Sequence, residues 1–262
     1  MDIQILASDE PSPVNVINED ADTPFVFLCD HATSFIPKSR NSLGVEDHHL
    51  TRHVAYDIGI KGVTEGLAEH FKSRAIFSNF SRLLVDPNRK LDNEGLMPVV
   101  SDGCHVPANL DMPEAEREAR LNAFYWPYHN QIQMTLDRMI EQGQVPIVVS
   151  MHSMTHEMAG VERPWPVCVL WNQDPRIPVP LIETFKRQGF NCGDNVPYSG
   201  RDDHGHTMEI HADRRGLPNV LIEIRQDLIS DQAGIDQWTT HMINAFEEVL
   251  HCPSLKEIKC YL

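Results

Sequence analysis

This chain of 262 residues contains four short apolar runs, and they constrain its fold more than any other feature. The runs are FVFLC, VPIVVSM, VCVLW and VLIEI. Each has the length of a buried strand, and none approaches the roughly 20 residues that cross a bilayer. The segments between them place apolar residues at helical spacing. Strands that alternate with helices predict an α/β sandwich with a mostly parallel sheet.

The same patterns give approximate bounds for the elements. Strands are predicted over residues 25–29, 74–78, 83–85, 145–151, 167–171 and 220–224. Helices are predicted over residues 49–71, 111–142, 180–188 and 231–250, and Pro127 is expected to kink the second of them. No repeat or linker interrupts the pattern, so residues 1–262 are expected to form a single domain. Residues 1–23 are expected to be an exposed N-terminal strap, and the polar residues 201–206 a mobile loop.

The charge balance limits the partners of the protein. Lys and Arg total 22 against 38 Asp and Glu, a net charge of −16, which argues against nucleic acid and anionic membranes. An anionic small molecule would then need local arginines to bind. The six cysteines show no CxxC spacing and the N-terminus has no signal-like segment, so reduced thiols and a cytoplasmic location are expected. A homo-oligomer is left open.

Chemically active residues follow or interrupt three of the apolar runs. Asp30 and His31 follow the first run, His152 follows the second, and Glu223 lies within the last. In open α/β sheets, ligands gather at the carboxyl ends of parallel strands. Two histidines and a carboxylate delivered there predict a catalytic divalent-metal site, which needs about three protein ligands and one free position. The alternative is that these are ordinary hydrogen-bonded residues, with Glu223 paired to a structural arginine.

The segment SRLLVDPNR places two arginines and an asparagine around an apolar stretch. Arg82 is its second residue, and Asn88 and Arg89 end it. An arginine fork matches a carboxylate with two parallel hydrogen bonds. In so acidic a protein, this concentration predicts the capture of a small molecule that carries a carboxylate. The alternative is a surface turn with solvated arginines.

Four segments together carry a resemblance to a known family. CDHATSFIP, SRLLVDPNR, SMHSMT and LPNVLIEIRQDLI occur in this order over about residues 25–230, and they resemble the N-formylglutamate amidohydrolase family. The resemblance implies a three-layer sandwich related to the zinc carboxypeptidases and aspartoacylases (the phosphorylase/hydrolase-like fold). A mixed, mostly parallel sheet would lie between helices, with the metal at strand ends. It also implies hydrolysis of an N-acyl amide next to a carboxylate, as in N-formylglutamate, to release the free amino acid.

The resemblance also implies roles for individual residues. His31 and His152 match the two metal histidines, and Asn88 and Arg89 match the pair that holds the substrate carboxylate. Glu223 lies where the catalytic glutamate of the wider superfamily falls. The remaining expected substrate contacts are Arg82, Thr207, His211 and Arg225.

The chain departs from the superfamily at one metal position. The carboxypeptidase pattern His-x-x-Glu would place a glutamate at position 34, where this sequence has Ser34. The third ligand is therefore open among Asp30, His211, a carboxylate from another loop, or water. The expected cofactor is zinc or another divalent metal.

Two other functions are compatible with the same residues. The first is a metal-independent amidase, in which Ser153 or Cys29 is the nucleophile and a strand-end histidine the base. Neither residue lies in a Gly-x-Ser-x-Gly segment. The second is a non-catalytic binder of small carboxylates, which turnover of an acyl amide distinguishes from an enzyme.

Overall fold

The structure, a computed structural model, describes residues 4–202 and 205–261. Of the loop predicted at 201–206, Asp203 and His204 lie outside the described residues. The strands are β1 (Val14–Ile17), β2 (Phe25–Cys29), β3 (Arg74–Ser78), β4 (Val100–Ser101), β5 (Cys104–His105), β6 (Ile147–Met154), β7 (Glu157–Met158), β8 (Val161–Glu162), β9 (Val167–Leu170), β10 (Cys192–Asp194) and β11 (Asn219–Arg225).

The helices occupy the connections between these strands. The α-helices are α1 (Ile60–His70), α2 (Glu114–Arg120), α3 (Trp126–Glu141), α4 (Pro178–Arg187), α5 (His206–His211) and α6 (Gln232–Val249). A π-helical turn, Leu121–Tyr125, joins α2 to α3. Short 3₁₀ segments cover Lys38–Gly44, Asp47–His49, Glu94–Leu96, Pro107–Asn109, Asp213–Arg215, Gln226–Leu228 and Pro253–Lys256. Among the described residues, no helix is long and apolar enough to cross a membrane.

Seven strands form the central sheet, in the order β1-β3-β2-β6-β11-β9-β10. The four strands β3, β2, β6 and β11 run parallel, whereas β1 pairs antiparallel with β3 and β9 antiparallel with β11. This confirms a mixed, mostly parallel sheet. Strand β1 lies in the segment expected to be an exposed strap, and it was not predicted from the sequence. It is a partly buried edge strand, with Val14 opposite Ser78.

Two helical layers cover the two faces of the sheet. Because side chains alternate along a strand, β2 directs Val26 and Leu28 into a core shared with α3. Its Phe25, Phe27 and Cys29 enter the opposite core, shared with α1, α4 and α6. Both faces of the sheet are therefore buried, which explains why the central strands are continuous apolar runs. The predicted three-layer sandwich is confirmed.

Two predicted elements differ from the structure for physical reasons. The helix predicted from residue 49 begins at Ile60, directly after Gly59, whose φ is +79°. A Cβ at Gly59 would lie 2.0 Å from the Ile229 carbonyl oxygen, so the chain passes too close for a side chain there. The strand predicted at 83–85 is a buried turn instead, because none of the strands that the structure describes pairs with it. Pro127, which has no N–H to donate, follows the π-helical turn at the kink expected there.

Side chains replace a neighbouring strand in binding the carbonyl groups of residues 81–89, here called the arginine loop. The Asn109 amide donates to the Leu83 carbonyl at 2.9 Å, and Arg120 donates to the Leu84 carbonyl at 3.2 Å. Arg120 is only 1% exposed and pairs with Glu116 at 2.9 Å. Arg120, held by this ion pair, therefore fixes the loop that carries Arg82, Asn88 and Arg89. Without it, a buried backbone carbonyl of the loop would lose its donor, which is costly.

Replacing Arg120 with Met should lower the free energy of unfolding by about 2–3 kcal/mol, because the Leu84 carbonyl and Asn109 Oδ1 lose a buried donor, while Glu116 keeps its bonds to Arg40. Urea denaturation followed by circular dichroism measures this change. The matched control is Arg117→Met on the same helix, whose ion pairs with Glu114 and Glu118 are exposed. The control should change stability by no more than about 0.5 kcal/mol. Equal effects of the two substitutions would contradict the anchoring role of Arg120.

Candidate active site

A buried group of two histidines and one aspartate lies where the parallel strands end. His31 follows β2, His152 lies on β6, and Asp57 comes from the turn before α1. One ligand atom from each residue lies within 4.8 Å of the others, and all three residues are buried. The Nδ1 atoms of His31 and His152 lie 3.4 and 2.9 Å from Asp57 Oδ2. The two histidines expected to meet do so, with ring centroids 5.0 Å apart.

The outer nitrogen of each histidine contacts a second carboxylate. His31 Nε2 lies 2.7 Å from Asp86 Oδ1, and His152 Nε2 lies 3.0 Å from Asp30 Oδ2. Tyr128 donates to the other oxygen of Asp30 at 2.7 Å. Asp30 was one candidate for the third metal ligand, with the orientation of a histidine as its alternative role, and it lies on the side of the His152 ring away from Asp57. Carboxylates in this position orient metal-binding histidines, which is the role its placement supports.

The charges around these rings favour a cation between them. Burial lowers the pKa of both imidazoles, and the Arg82 guanidinium lowers that of His31 further. The surrounding carboxylates outweigh these effects, so the pKa of His31 and of His152 is raised. Burial alone would raise the pKa of Asp57, but the two histidines hold it below its ordinary value. Two imidazoles and a carboxylate are a donor set that zinc binds, so these residues fit a divalent metal ion.

Glu223 lies beside this group on β11, opposite His152 of β6 in the strand register. Although part of the residue is exposed, its Oε2 atom is shielded from solvent and has no hydrogen-bond partner among the described residues. Burial raises the pKa of this carboxyl to about 7. A carboxylate without a partner, next to a candidate metal site, is typical of a general base.

A cavity of about 270 Å³ opens onto His31, Asp57, His152 and Glu223. Three residues of the arginine loop that were expected to contact substrate also line it: Arg82, Asn88 and Arg89.

The two arginines of the loop differ in how closely they already pair with carboxylates of the protein. Arg82 lies 2.7 Å from Asp86 and 3.6 Å from Asp57, so two carboxylates share its charge. Arg89 approaches Asp86 only at 4.0 Å. Arg89 is therefore better placed to bind an incoming anion, while Arg82 holds the aspartates that face the histidines.

Thr207 and His211, both expected to contact substrate, do not line this cavity. The Thr207 N–H donates to Asn88 Oδ1 at 3.0 Å. His211 Nε2 lies 2.9 Å from Nδ1 of His129, whose other nitrogen lies 3.0 Å from the Pro87 carbonyl oxygen. Both residues are on α5, so they support the arginine loop from behind instead of facing the cavity.

Arg225, the other expected substrate contact, is also absent from the cavity wall. Its guanidinium forms two hydrogen bonds to Asp227, at 2.8 and 3.0 Å, and a third to the Arg163 carbonyl oxygen at 3.2 Å. Arg225 is the last residue of β11, and alternation along the strand gives it the same face as Glu223, but its guanidinium bonds Asp227 beyond the end of the strand. The placement of Arg225 supports a structural role.

Sequence reasoning missed two residues of the site, Asp57 and Arg163. Asp57 carried a usable signal, because it lies three residues after Val54 and next to Ile58, on the apolar face of the helix predicted there. A carboxylate in such a place requires a partner. Arg163 carried no such signal, since it lies in a polar segment between two short strands.

Comparisons with known proteins identify the class to which this fold and site belong. The family model of N-formylglutamate amidohydrolase matches residues 23–230. The chain therefore belongs to the N-formylglutamate amidohydrolase family, as the four segments indicated, and it is a member of a hydrolase family.

Two solved structures share this fold. A gene product of Agrobacterium tumefaciens is 31% identical, with a TM-score of 0.92 over 97% of this chain and 100% of that one. The N-formylglutamate amidohydrolase of Ralstonia eutropha shares the fold at 18% identity, with a TM-score of 0.70 over 92% of this chain and 98% of that one. A search of curated proteins found no match.

The histidine pair behind the arginine loop should make stability depend on pH. Burial lowers the pKa of His129 to about 4 and that of His211 to about 3, from an ordinary value of 6.5. Below pH 6.5 the unfolded chain therefore binds protons that the folded chain does not, so stability is lost as the pH falls. The expected loss is about 1–2 kcal/mol per histidine near pH 5.

The substitution His211→Gln removes one of these groups and should flatten the dependence. The difference in unfolding free energy between the original protein and the variant should shrink as the pH falls from 7.5 to 5. Urea denaturation at several pH values measures it. As a control, His251→Gln replaces an exposed histidine near the end of α6 and should leave the dependence unchanged. A constant difference for His211→Gln would contradict a neutral buried pair.

Proposed function

We propose that this protein is a metal-dependent amidohydrolase that hydrolyses the amide of an N-acyl amino acid, with N-formylglutamate as the leading substrate. The products are the acyl acid, here formate, and the free amino acid. The observation that carries the proposal is the group of His31, Asp57 and His152 beside the unpartnered Glu223. Membership of the N-formylglutamate amidohydrolase family supports the substrate class.

His31, Asp57 and His152 would hold the ion, which we propose is zinc or another divalent metal. When bound, such an ion supplies Lewis acidity, which acidifies water and polarises an acyl carbonyl. Asp57 would be the third protein ligand, which the sequence left open because it has Ser34 at the position of the superfamily's glutamate. Asp86 and Asp30 keep the two imidazoles oriented by accepting their outer N–H groups.

The other residues of the cavity supply proton transfer and substrate binding. Glu223 takes a proton from the attacking water and delivers it to the nitrogen of the leaving amine. Arg89 binds the substrate carboxylate with Asn88, whose position the Thr207 N–H fixes. Arg82 stabilises negative charge that develops on the acyl oxygen, since it already faces Asp57 and lines the cavity.

The geometry disfavours the metal-independent amidase. The hydroxyl of Ser153 already donates to the Ile58 carbonyl at 2.9 Å. Cys29 lies in the core on the face of β2 that packs against α1, and burial raises its pKa well above the ordinary value. A thiol held in its neutral form in a core is a poor nucleophile.

The cellular location and the partners of the enzyme are proposed from the charge and the cysteines of the chain. We propose a cytoplasmic enzyme whose partner is a small-molecule carboxylate and not a nucleic acid or a membrane. None of the six cysteines is paired in a disulfide, which suits a reducing compartment.

The function is tested by formate release from N-formylglutamate, with and without a chelator, on protein of known zinc content. The expected result is turnover that a chelator abolishes and zinc restores. Asp57→Asn should lower both zinc content and turnover, because a ligand loses its charge while its shape remains. Asp236→Asn, on the exposed face of α6, should change neither. Binding of the substrate without any product would favour a non-catalytic binder, and turnover that persists without metal would contradict the metal site.

Glu223→Gln should retain the fold and the zinc but lower kcat by about 10²–10⁴-fold, the usual cost of losing a general base. The amide preserves the shape of the side chain while it removes the oxygen that accepts a proton. The measurements are kcat and zinc content on the same preparation. Near-normal kcat in zinc-loaded Glu223→Gln would assign the base to another carboxylate.

A further inference from the structure

Arg163 is a buried cation on the cavity wall for which the described residues provide no carboxylate. Its side chain is 6% exposed, and it lines the same cavity as Glu223 and Arg89. Within residues 4–202 and 205–261, no carboxylate oxygen lies within 4.0 Å of its guanidinium. Its side-chain partners are neutral: the Thr155 hydroxyl at 3.3 Å and the Tyr198 hydroxyl at 2.6 Å. A charge buried without an opposite charge is costly, so an anion supplied from outside would be bound strongly here.

The surrounding chain holds this guanidinium in a fixed place. Arg163 directly follows the hairpin of β7 and β8, and its N–H donates to the His156 carbonyl at 2.7 Å. The guanidinium carbon lies 4.9 Å from the centre of the Tyr198 ring. Arg225, itself paired with Asp227, donates to the Arg163 carbonyl at 3.2 Å. Backbone and side chain are both fixed, which reduces the entropy lost on binding a ligand.

The cavity between this arginine and the histidine group has an apolar part. Met154, Leu170 and Leu221 line it together with Arg163. A ligand that places one anionic group at Arg89 and another at Arg163 would therefore lay a methylene chain on apolar side chains. The other two arginines of the cavity wall do not offer the same site. Arg82 already pairs with two aspartates, and Arg89 is assigned to the other carboxylate of the substrate.

We propose that Arg163 is the specificity-determining residue of this site, which binds a second carboxylate at the end of the substrate side chain. The inference rests on the proposed amidohydrolase function and adds the residue that would bind the side-chain carboxylate of a substrate such as N-formylglutamate. The preferred substrates are N-acyl amino acids with an acidic side chain, and their uncharged analogues bind poorly because Arg163 then stays buried without a counterion.

The test compares N-formylglutamate with N-formylglutamine, which has the same shape without the second charge. In the zinc-loaded protein, kcat/KM should be about 100-fold higher for the diacid. In Arg163→Met, kcat/KM for the diacid should fall to within a few-fold of that for the amide, while the value for the amide changes little. The control Arg187→Met, which removes an exposed arginine paired with Glu248, should keep the full preference.

Several outcomes would overturn the role of Arg163. Equal kcat/KM for the two substrates in the unsubstituted protein would already overturn it. An equal loss for both substrates in Arg163→Met would show a structural role only. If that variant fails to fold, Arg163→Lys, which keeps the charge but not the fork, should lose about 10-fold on the diacid alone, and an equal loss on both substrates would again overturn it.

Calorimetry separates this inference from the proposed function. If the unsubstituted protein hydrolyses neither compound, the proposed activity fails, and binding alone then decides about Arg163. Tighter binding of N-formylglutamate than of N-formylglutamine, lost in the Arg163 variants, would support the second carboxylate site. Equal binding of the two compounds would overturn it.

Discussion

The concentration of buried negative charge at the carboxyl ends of the parallel strands is the constraint on which the rest of the site depends. Asp30, Asp57 and Asp86 all face the imidazoles of His31 and His152 at 2.7–3.4 Å. Such a group is stable only with positive charge among its members, as protons or as a metal ion. The sheet provides the rigidity, since β2 and β6 pair directly and present the two histidines side by side.

The second requirement is to hold the arginine loop against this group without a neighbouring strand. Asn109 and Arg120 bind its carbonyl groups from one side, and Thr207 and the His129–His211 pair support it from another. The loop can then direct Arg82 and Arg89 toward the cavity, where a strongly acidic protein would otherwise repel an anionic substrate. Residues far from the cavity thereby determine the position of the residues inside it.

Much of this was available in the sequence. The runs FVFLC, VPIVVSM and VLIEI are apolar at every position or nearly so because both sheet faces are covered, and this gave the strands and the sandwich. The placement of His31, His152 and Glu223 at or near the ends of those runs gave the edge of the sheet at which the site would form. The arginine loop was recognisable because two arginines flank apolar residues in a chain with a net charge of −16.

The tertiary structure alone decided which groups meet across long separations. Asp57 and His152 are far apart in the chain, and only the turn before a shortened α1 brings the carboxylate to the imidazole. Thr207, His211 and Arg225 have the chemistry of substrate contacts, yet their elements direct them behind the loop or away from the cavity. Local pattern specifies strands and helices through periodicity, but the direction of a side chain from a loop depends on packing that no local pattern encodes.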